Sequence, residues 1–187
     1  VSEGRSFAVD VDYLPVKNSQ MWREHALSVC KKSMEDHQGS ILVFVSGIAD
    51  IRFLAERLTE YVPKYFLLCP LYGDLTLSQQ QQAIAPTENG IHKIVLATNI
   101  AETSLTIEGI NLVIDCGLEK VAIYDTQTLT NQLQLRNISK ASAVQRMGRA
   151  GRVMAGKCIR LFSSEDFHRR NVRIGIHPFQ FTLNHVN

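Results

Sequence analysis

The chain alternates between two hydrophobic rhythms. Apolar and polar residues take turns through SFAVDVDYL (6–14), as in a strand, and MWREHALSVCKKSMEDH (21–37) spaces Trp22, Ala26, Val29 and Cys30 at helical intervals. ILVFV (41–45) is a continuous β-branched and aromatic run, typical of a strand covered on both faces. It ends at Ser46-Gly47, and IADIRFLAERLTEY (48–61) returns to helical period. YFLLCPL (65–71), KIVLAT (93–98), NLVID (111–115) and KCIRLF (157–162) read as further strands. Ser78 with Gln81 and Ser142 with Gln145 each predict a capping box at a helix start. The stretch 121–138 alternates cleanly in its second half and predicts an antiparallel hairpin turning near Asp125 to Thr128. Strands alternating with helices predict an α/β fold: a doubly wound, mostly parallel sheet with helices on both faces and one inserted hairpin.

Composition adds bounds. A chain of 187 residues with 45% hydrophobic and 20% charged content suits one globular domain. It opens on Val1, which predicts a fragment of a longer protein. No apolar run approaches the roughly 18 residues of a membrane span and no basic-then-apolar leader opens the chain, so a soluble, cytoplasmic protein is expected. The four cysteines, Cys30, Cys69, Cys116 and Cys158, never form C-x-x-C and lie mostly in apolar runs, as core residues of a reducing compartment do. The six histidines show no ligand spacing, and no metal site is expected.

Charge is divided unevenly along the chain. Residues 1–125 hold 10 Lys and Arg against 16 Asp and Glu, whereas 126–164 hold 7 basic residues and no acid. The basic window is open to two readings, a solvated basic face or a site for phosphates. Inside it lies SAVQRMGRAGR (142–152), with Arg146, Arg149 and Arg152 at three-residue spacing and Gly148 and Gly151 between them. Clustered like charge and helix-weakening glycine break two local rules together, which marks a functional site. The glycines are expected to be positions of close approach. In such sheets function gathers beyond the carboxyl ends of strands, here SG (46–47), YGD (72–74) and TNIAETSLT (98–106). G-x-x-x-x-G-K-[ST] is missing from the chain, so it has no nucleotide cradle of its own.

Two of these segments carry a family resemblance. ATNIAETSLTI (97–107) resembles motif V, and QRMGRAGR (145–152) motif VI, of the DEAH-box (DEAH/RHA) ATP-dependent RNA helicases of superfamily 2. ILVFVSG resembles motif IV, LYGDLTLSQQQQAI the block that follows it, and VSEGRSF the entry to this domain in bacterial helicases of the HrpB type. The resemblance implies a second RecA-like domain over residues 1–170, followed by a divergent or appended tail at 171–187. It implies that Gln145, Arg149 and Arg152 are catalytic, facing ATP held with Mg2+ by a first RecA-like domain outside this chain, the two arginines as fingers unpaired within their own domain. Arg146 would hold structure. Ile84, Ser104, Thr106 and Glu108 match nucleotide-binding positions, and Gly73, Thr98 and Asn99 match contacts to the backbone of single-stranded or partly duplex RNA. Ile84 stands where many members have Phe, which implies contact with the base without ring stacking. The isolated domain is expected to be monomeric, inactive and free of membrane partners. The competing reading is a non-catalytic module that binds RNA or a partner.

Overall fold

The computed structural model describes residues 6–103 and 105–172. Its strands are β1 (Val9–Tyr13), β2 (Ser40–Phe44), β3 (Phe66–Leu71), β4 (His92–Ala97), β5 (Ile110–Asp115), β6 (Leu118–Asp125), β7 (Thr130–Asn137) and β8 (Gly156–Arg160). The helices are α1 (Trp22–Asp36), α2 (Ile48–Leu58), α3 (Leu77–Ile84), α4 (Ile100–Thr103), α5 (Lys140–Gly148) and α6 (Ser164–Arg169). Six strands form one parallel sheet in the order β1-β8-β5-β2-β4-β3, and β6 pairs antiparallel with β7 as a separate ribbon. The expected fold class is the observed one.

Burial explains the layering. Every residue of β2 is buried, because both faces of this central strand are covered. On one face Ile41, Val43, Ile94, Leu96, Leu112 and Ile114 meet α1 and α2 through Ala26, Val29, Cys30, Ile51, Leu54 and Leu58. On the other, Leu42, Phe44, Val95, Ala97 and Val113 meet Ala83, Ala101 and Ala150, the contributions of α3, α4 and a 3-10 turn at Arg149–Gly151. Small residues there let polypeptide lie close to the sheet. The three buried thiols Cys30, Cys116 and Cys158 are pushed up by desolvation to about 12, which makes them inert core residues at neutral pH.

Local chemistry departs from the sequence reading at two helix starts. α3 is capped by Thr76, whose hydroxyl accepts from the Gln79 amide at 3.3 Å while the Gln79 side chain accepts from the Thr76 amide at 3.1 Å. α5 is capped by Ser139, which accepts from the Ser142 amide at 3.1 Å. Ser78 and Ser142 both fall inside the first turn. The cap forms where the backbone is still extended, at Thr76 (ψ 155°) and Ser139 (ψ 165°), so of two nearby hydroxyl residues the earlier one takes the role. The short helix α4 occupies a stretch read as loop.

The expectation for the two glycines of residues 142–152 divides. A Cβ on Gly151 would lie 2.6 Å from the carbonyl oxygen of Phe7, whose amide donates to the Gly151 carbonyl at 2.8 Å, whereas a Cβ on Gly148 meets nothing within 4 Å. Gly148 also has ordinary helical dihedrals, φ −60° and ψ −19°. Gly151→Ala is therefore expected to destabilise the chain by about 1–3 kcal/mol through overpacking, and Gly148→Ala to stabilise it by up to about 1 kcal/mol by restricting the unfolded chain. Urea midpoints of the two variants, moving in opposite directions, check this.

Candidate nucleotide and nucleic-acid interface

α5 and the 3-10 turn that continues it lie across the same sheet face as α4, so the residues around 100 and around 146 meet. Arg146 points inward. Its side chain is fully buried, with Nη1 2.9 Å from Asp115 Oδ1, Nε 3.1 Å from Glu102 Oε2 and its guanidinium 4.8 Å over the Phe44 ring. Burial alone would lower its pKa, but Asp115 and Glu102 outweigh that, and the net displacement is upward. Arg146 is a structural cation, as the resemblance implied.

Arg149 lies in the seam between the two segments and is only 7% exposed. Its Nε donates to the Glu102 carbonyl at 2.8 Å, its Nη2 donates to the same oxygen, and its Nη1 donates to the Leu105 carbonyl at 2.6 Å. Three of its five N–H groups are engaged, leaving two for an external anion. Desolvation, and next to it the charge of Arg152, pull its pKa below the ordinary arginine value. Arg152 is exposed and donates from Nη1 to Thr106 Oγ1 at 2.9 Å. No carboxylate lies within 4 Å of either guanidinium among the described residues, which fits two charges unpaired in their own domain. They differ in support: Arg149 is seated on backbone carbonyls, and Arg152 is held by one hydroxyl.

Gln145, exposed on α5, precedes Arg149 by four residues and Arg152 by seven, a spacing that lines all three along one side of the segment. Two of the expected nucleotide positions lie at the amino ends of the strands on this face. Ile84 closes α3, and its carbonyl accepts from the Glu108 amide at 3.3 Å just before β5 begins. The buried Lys93 at the start of β4 donates to the carbonyls of Ala83 at 2.8 Å and of Ala85, holding the end of α3 around Ile84. Ser104 lies outside the described residues.

The expected nucleic-acid positions gather at the opposite, carboxyl edge. Leu71 and Ala97 are in register at the ends of β3 and β4, so Gly73 and the pair Thr98 and Asn99 leave the sheet side by side. Gly73 and Asn99 are exposed, and a Cβ on Gly73 would meet nothing within 4 Å. The loop at 46–47 is different. Both its amides and the Ser46 hydroxyl donate to the buried Asp50 carboxylate, which Arg23 also meets at 2.7 Å, so these groups are spent within the chain.

Three other cations of the basic window are engaged within the chain. Arg136 pairs with Glu119 at 2.9 Å, Lys157 pairs with Asp12 at 2.6 Å, and the buried Arg160 stacks 4.2 Å over the Phe167 ring. The acids in these pairs come from the acidic first two-thirds of the chain. Glu102 and Asp115 are the partners of Arg146 that the sequence reading left out. The available signal was a carboxylate ending the buried strand NLVID and one acid inside a hydroxyl-rich loop, each a natural counter-charge for a buried arginine.

A parallel sheet with an inserted hairpin and an arginine-bearing helix across the loop after β4 is the architecture of a RecA-like helicase domain. The family described as the helicase conserved C-terminal domain matches residues 23–154, and the chain belongs to that family. The ATP-dependent RNA helicase HrpB of Escherichia coli K12 is 44% identical over 169 residues, which are 90% of this chain and 21% of that protein. HrpA of the same organism is 40% identical over 173 residues, 89% of this chain and 13% of that protein. The crystal structure of the E. coli DExH-box NTPase HrpB aligns with a TM-score of 0.87 at 42% identity, over 93% of this chain and 22% of that one. The chain thus spans about a fifth or less of the length of these relatives.

The geometry separates the three arginines by stability. Arg146→Ala leaves the buried Asp115 carboxylate and the half-buried Glu102 carboxylate without their cation and is expected to cost about 3–5 kcal/mol. Arg149→Ala strands two carbonyls and is expected to cost about 1–3 kcal/mol, and Arg152→Ala less than about 0.5 kcal/mol, as at other exposed positions. Denaturant unfolding of the three variants gives the order.

Proposed function

We propose that this chain is the second RecA-like domain, residues 1–170, of a longer DEAH-box ATP-dependent RNA helicase. It offers arginine fingers to ATP bound on a preceding domain and grips the RNA backbone at its own carboxyl edge. The observation that carries the reading is one sheet face with two separated sets of groups. Arg149, Arg152 and Gln145 form an acid-free stripe near Thr106, while Gly73, Thr98 and Asn99 open at the far ends of β3 and β4.

Each residue's part follows from its surroundings. Arg152, exposed and lightly held, is free to move to an incoming phosphate. Arg149, held on its inner side by backbone carbonyls, has its remaining donors for the phosphate, and fixed donors of this kind stabilise developing charge most effectively. Together they meet the negative charge that spreads over the transferring phosphoryl oxygens, for which an arginine finger is worth about 10³–10⁵ in rate. Gln145, neutral and one turn away, suits the orientation of the attacking water. The open space at Gly148 is where the triphosphate or the preceding domain comes close. ATP and its Mg2+ require a phosphate loop and acidic ligands, which this reading places on the preceding domain. At the other edge, Thr98 and Asn99 offer a hydroxyl and an amide, and Gly73 an unobstructed backbone, to successive phosphates. Such contacts carry no base code, as movement along RNA requires. The relatives' printed names, ATP-dependent RNA helicases, support the same reading.

The test uses the 187-residue chain beside the full-length protein. The chain alone should hydrolyse no ATP, and the full-length protein should do so with stimulation by single-stranded RNA. Arg152→Ala should lower full-length kcat by about 10² or more with unfolding of the isolated domain almost unmoved. Lysine should rescue poorly because a point charge does not reproduce the planar fork. Turnover by the chain alone, or normal turnover by the Arg152→Ala enzyme, overturns the proposal. RNA binding without any hydrolysis by the full-length protein would favour the non-catalytic module instead.

Two finer expectations follow from Ile84 and Thr98. An aliphatic contact to the base should leave kcat/KM for ATP, GTP, CTP and UTP within about tenfold, or roughly 1.4 kcal/mol, of one another. Thr98→Val should weaken RNA binding about equally across oligonucleotide sequences, since the hydroxyl it removes serves a phosphate and no base. Initial-rate kinetics with the four nucleotides and fluorescence titrations with RNAs of different sequence are the measurements.

A further inference from the structure

Glu102 bonds through three separate groups. Its amide donates to the Asn99 carbonyl at 3.0 Å, beside the Ala101 amide on the Thr98 carbonyl at 3.2 Å. Its carbonyl seats Arg149 through Nε and Nη2. Its carboxylate ties α5 at two points, accepting from Ser142 Oγ at 2.5 Å and from Arg146 Nε at 3.1 Å. One residue therefore touches the turn that carries both expected RNA-contact residues, the seat of one finger and the helix that carries Gln145.

The mechanics follow from what is rigid. α5 is fixed by the buried Arg146 and its ion pair to Asp115, whereas α4 is one turn of four residues standing at the end of β4. A phosphate drawn onto Thr98 and Asn99 moves that turn as a unit. Because the Glu102 carboxylate is anchored to α5, the displacement becomes a rotation of the residue about its side-chain tether, which shifts the carbonyl under Arg149. We propose that Glu102 is a positioning residue that transmits occupancy of the RNA contacts at Thr98 and Asn99 to the aim of Arg149. This rests on the helicase reading above. A displacement on the order of 1 Å at a catalytic group changes rates by about 10²-fold, so a small rotation suffices.

The experiment measures the ratio of kcat at saturating oligo(A) RNA to kcat without RNA, in the full-length protein. Glu102→Asp keeps the charge but shortens the tether, and Ser142→Ala removes one of the two carboxylate anchors while leaving Arg146 paired. The ratio should fall about tenfold in Glu102→Asp and a few-fold, roughly, in Ser142→Ala, with the Kd for oligo(A) within about threefold of wild type. Loss of folded enzyme lowers both rates together and leaves the ratio unmoved, so a merely structural role is read separately. An unchanged ratio, or a fall fully accounted for by weaker RNA binding, overturns the assignment of Glu102 and leaves the helicase reading standing. A wild-type protein without RNA-stimulated hydrolysis overturns that reading and this inference with it.

Discussion

A buried guanidinium needs compensation, and the fold of this domain is arranged around supplying it to Arg146. Taking an isolated charge out of water costs several kcal/mol, and Arg146 is fully enclosed. The compensation comes from three parts of the chain that are distant in sequence. Asp115 ends β5, Glu102 sits on α4, and the Phe44 ring closes β2 beneath the guanidinium. Asp115 is itself fixed, since its Oδ1 also accepts from the Gly117 amide at 2.8 Å. The central strand, its neighbour, the loop after β4 and the helix α5 are thus committed to one another through a single cation. Apolar packing alone would let α5 slide on the sheet; the forked charge fixes its register.

That commitment shapes the functional face. With α5 locked, Arg149 fills the seam between it and α4, seated on the carbonyls of Glu102 and Leu105. The sheet keeps the two ends of the face apart, with Ile84 and Glu108 joined at the amino edge and Gly73, Thr98 and Asn99 at the carboxyl edge. β4 joins the two edges as one rigid element, holding the end of α3 through Lys93 and leading into Thr98 at its carboxyl end. The uneven distribution of charge along the sequence has a folded counterpart: basic residues from the last third are matched to acids from the first two-thirds, at Arg136 with Glu119 and Lys157 with Asp12. Arg152 stands outside this matching.

Periodicity made the architecture legible because most elements are long and one-sided. The continuous run ILVFV became the doubly covered central strand, and the alternation in 121–138 became the β6–β7 ribbon with its turn held by Asp125, whose Oδ1 accepts from the Gln127 amide at 2.8 Å. Cap positions were less legible, since two hydroxyl residues stood near each helix start and only backbone extension chose between them. The helix α4 escaped because four residues carry less than two turns of pattern. For the site, residue types and motif spacing located the segments that meet. Which acid answers which arginine was not legible, because Glu102 and Asp115 lie 44 and 31 residues from Arg146 and pairing depends on strand order. Local spacing carries no such information.

Three arginines at equal spacing occupy three environments, and helix geometry accounts for it. In an α-helix a step of three residues falls short of a full turn by roughly 60°, while in a 3-10 helix it completes one. From Arg146 to Arg149 the segment is still largely α-helical, so the side chain swings from the sheet into the seam beside α4. From Arg149 to Arg152 it follows the 3-10 turn, and direction changes less. What changes instead is position, since each step also advances about 4.5–6 Å along the axis, carrying Arg152 beyond Ala150, whose methyl is in the core, to the margin where Thr106 meets it. A regular repeat laid on a helix that tightens at its end thus sorts identical side chains into anchor, seated cation and exposed cation. Gly151 permits the last step, because its bare Cα lets the turn press against the Phe7 backbone before the chain leaves for β8. A uniform α-helix over the same residues would continue the rotation and carry Arg152 a further 60° or so away from the Arg149 seam. The 3-10 turn keeps Arg152 on the Arg149 side of the segment, and its charge is, after desolvation, the second influence that lowers the pKa of Arg149.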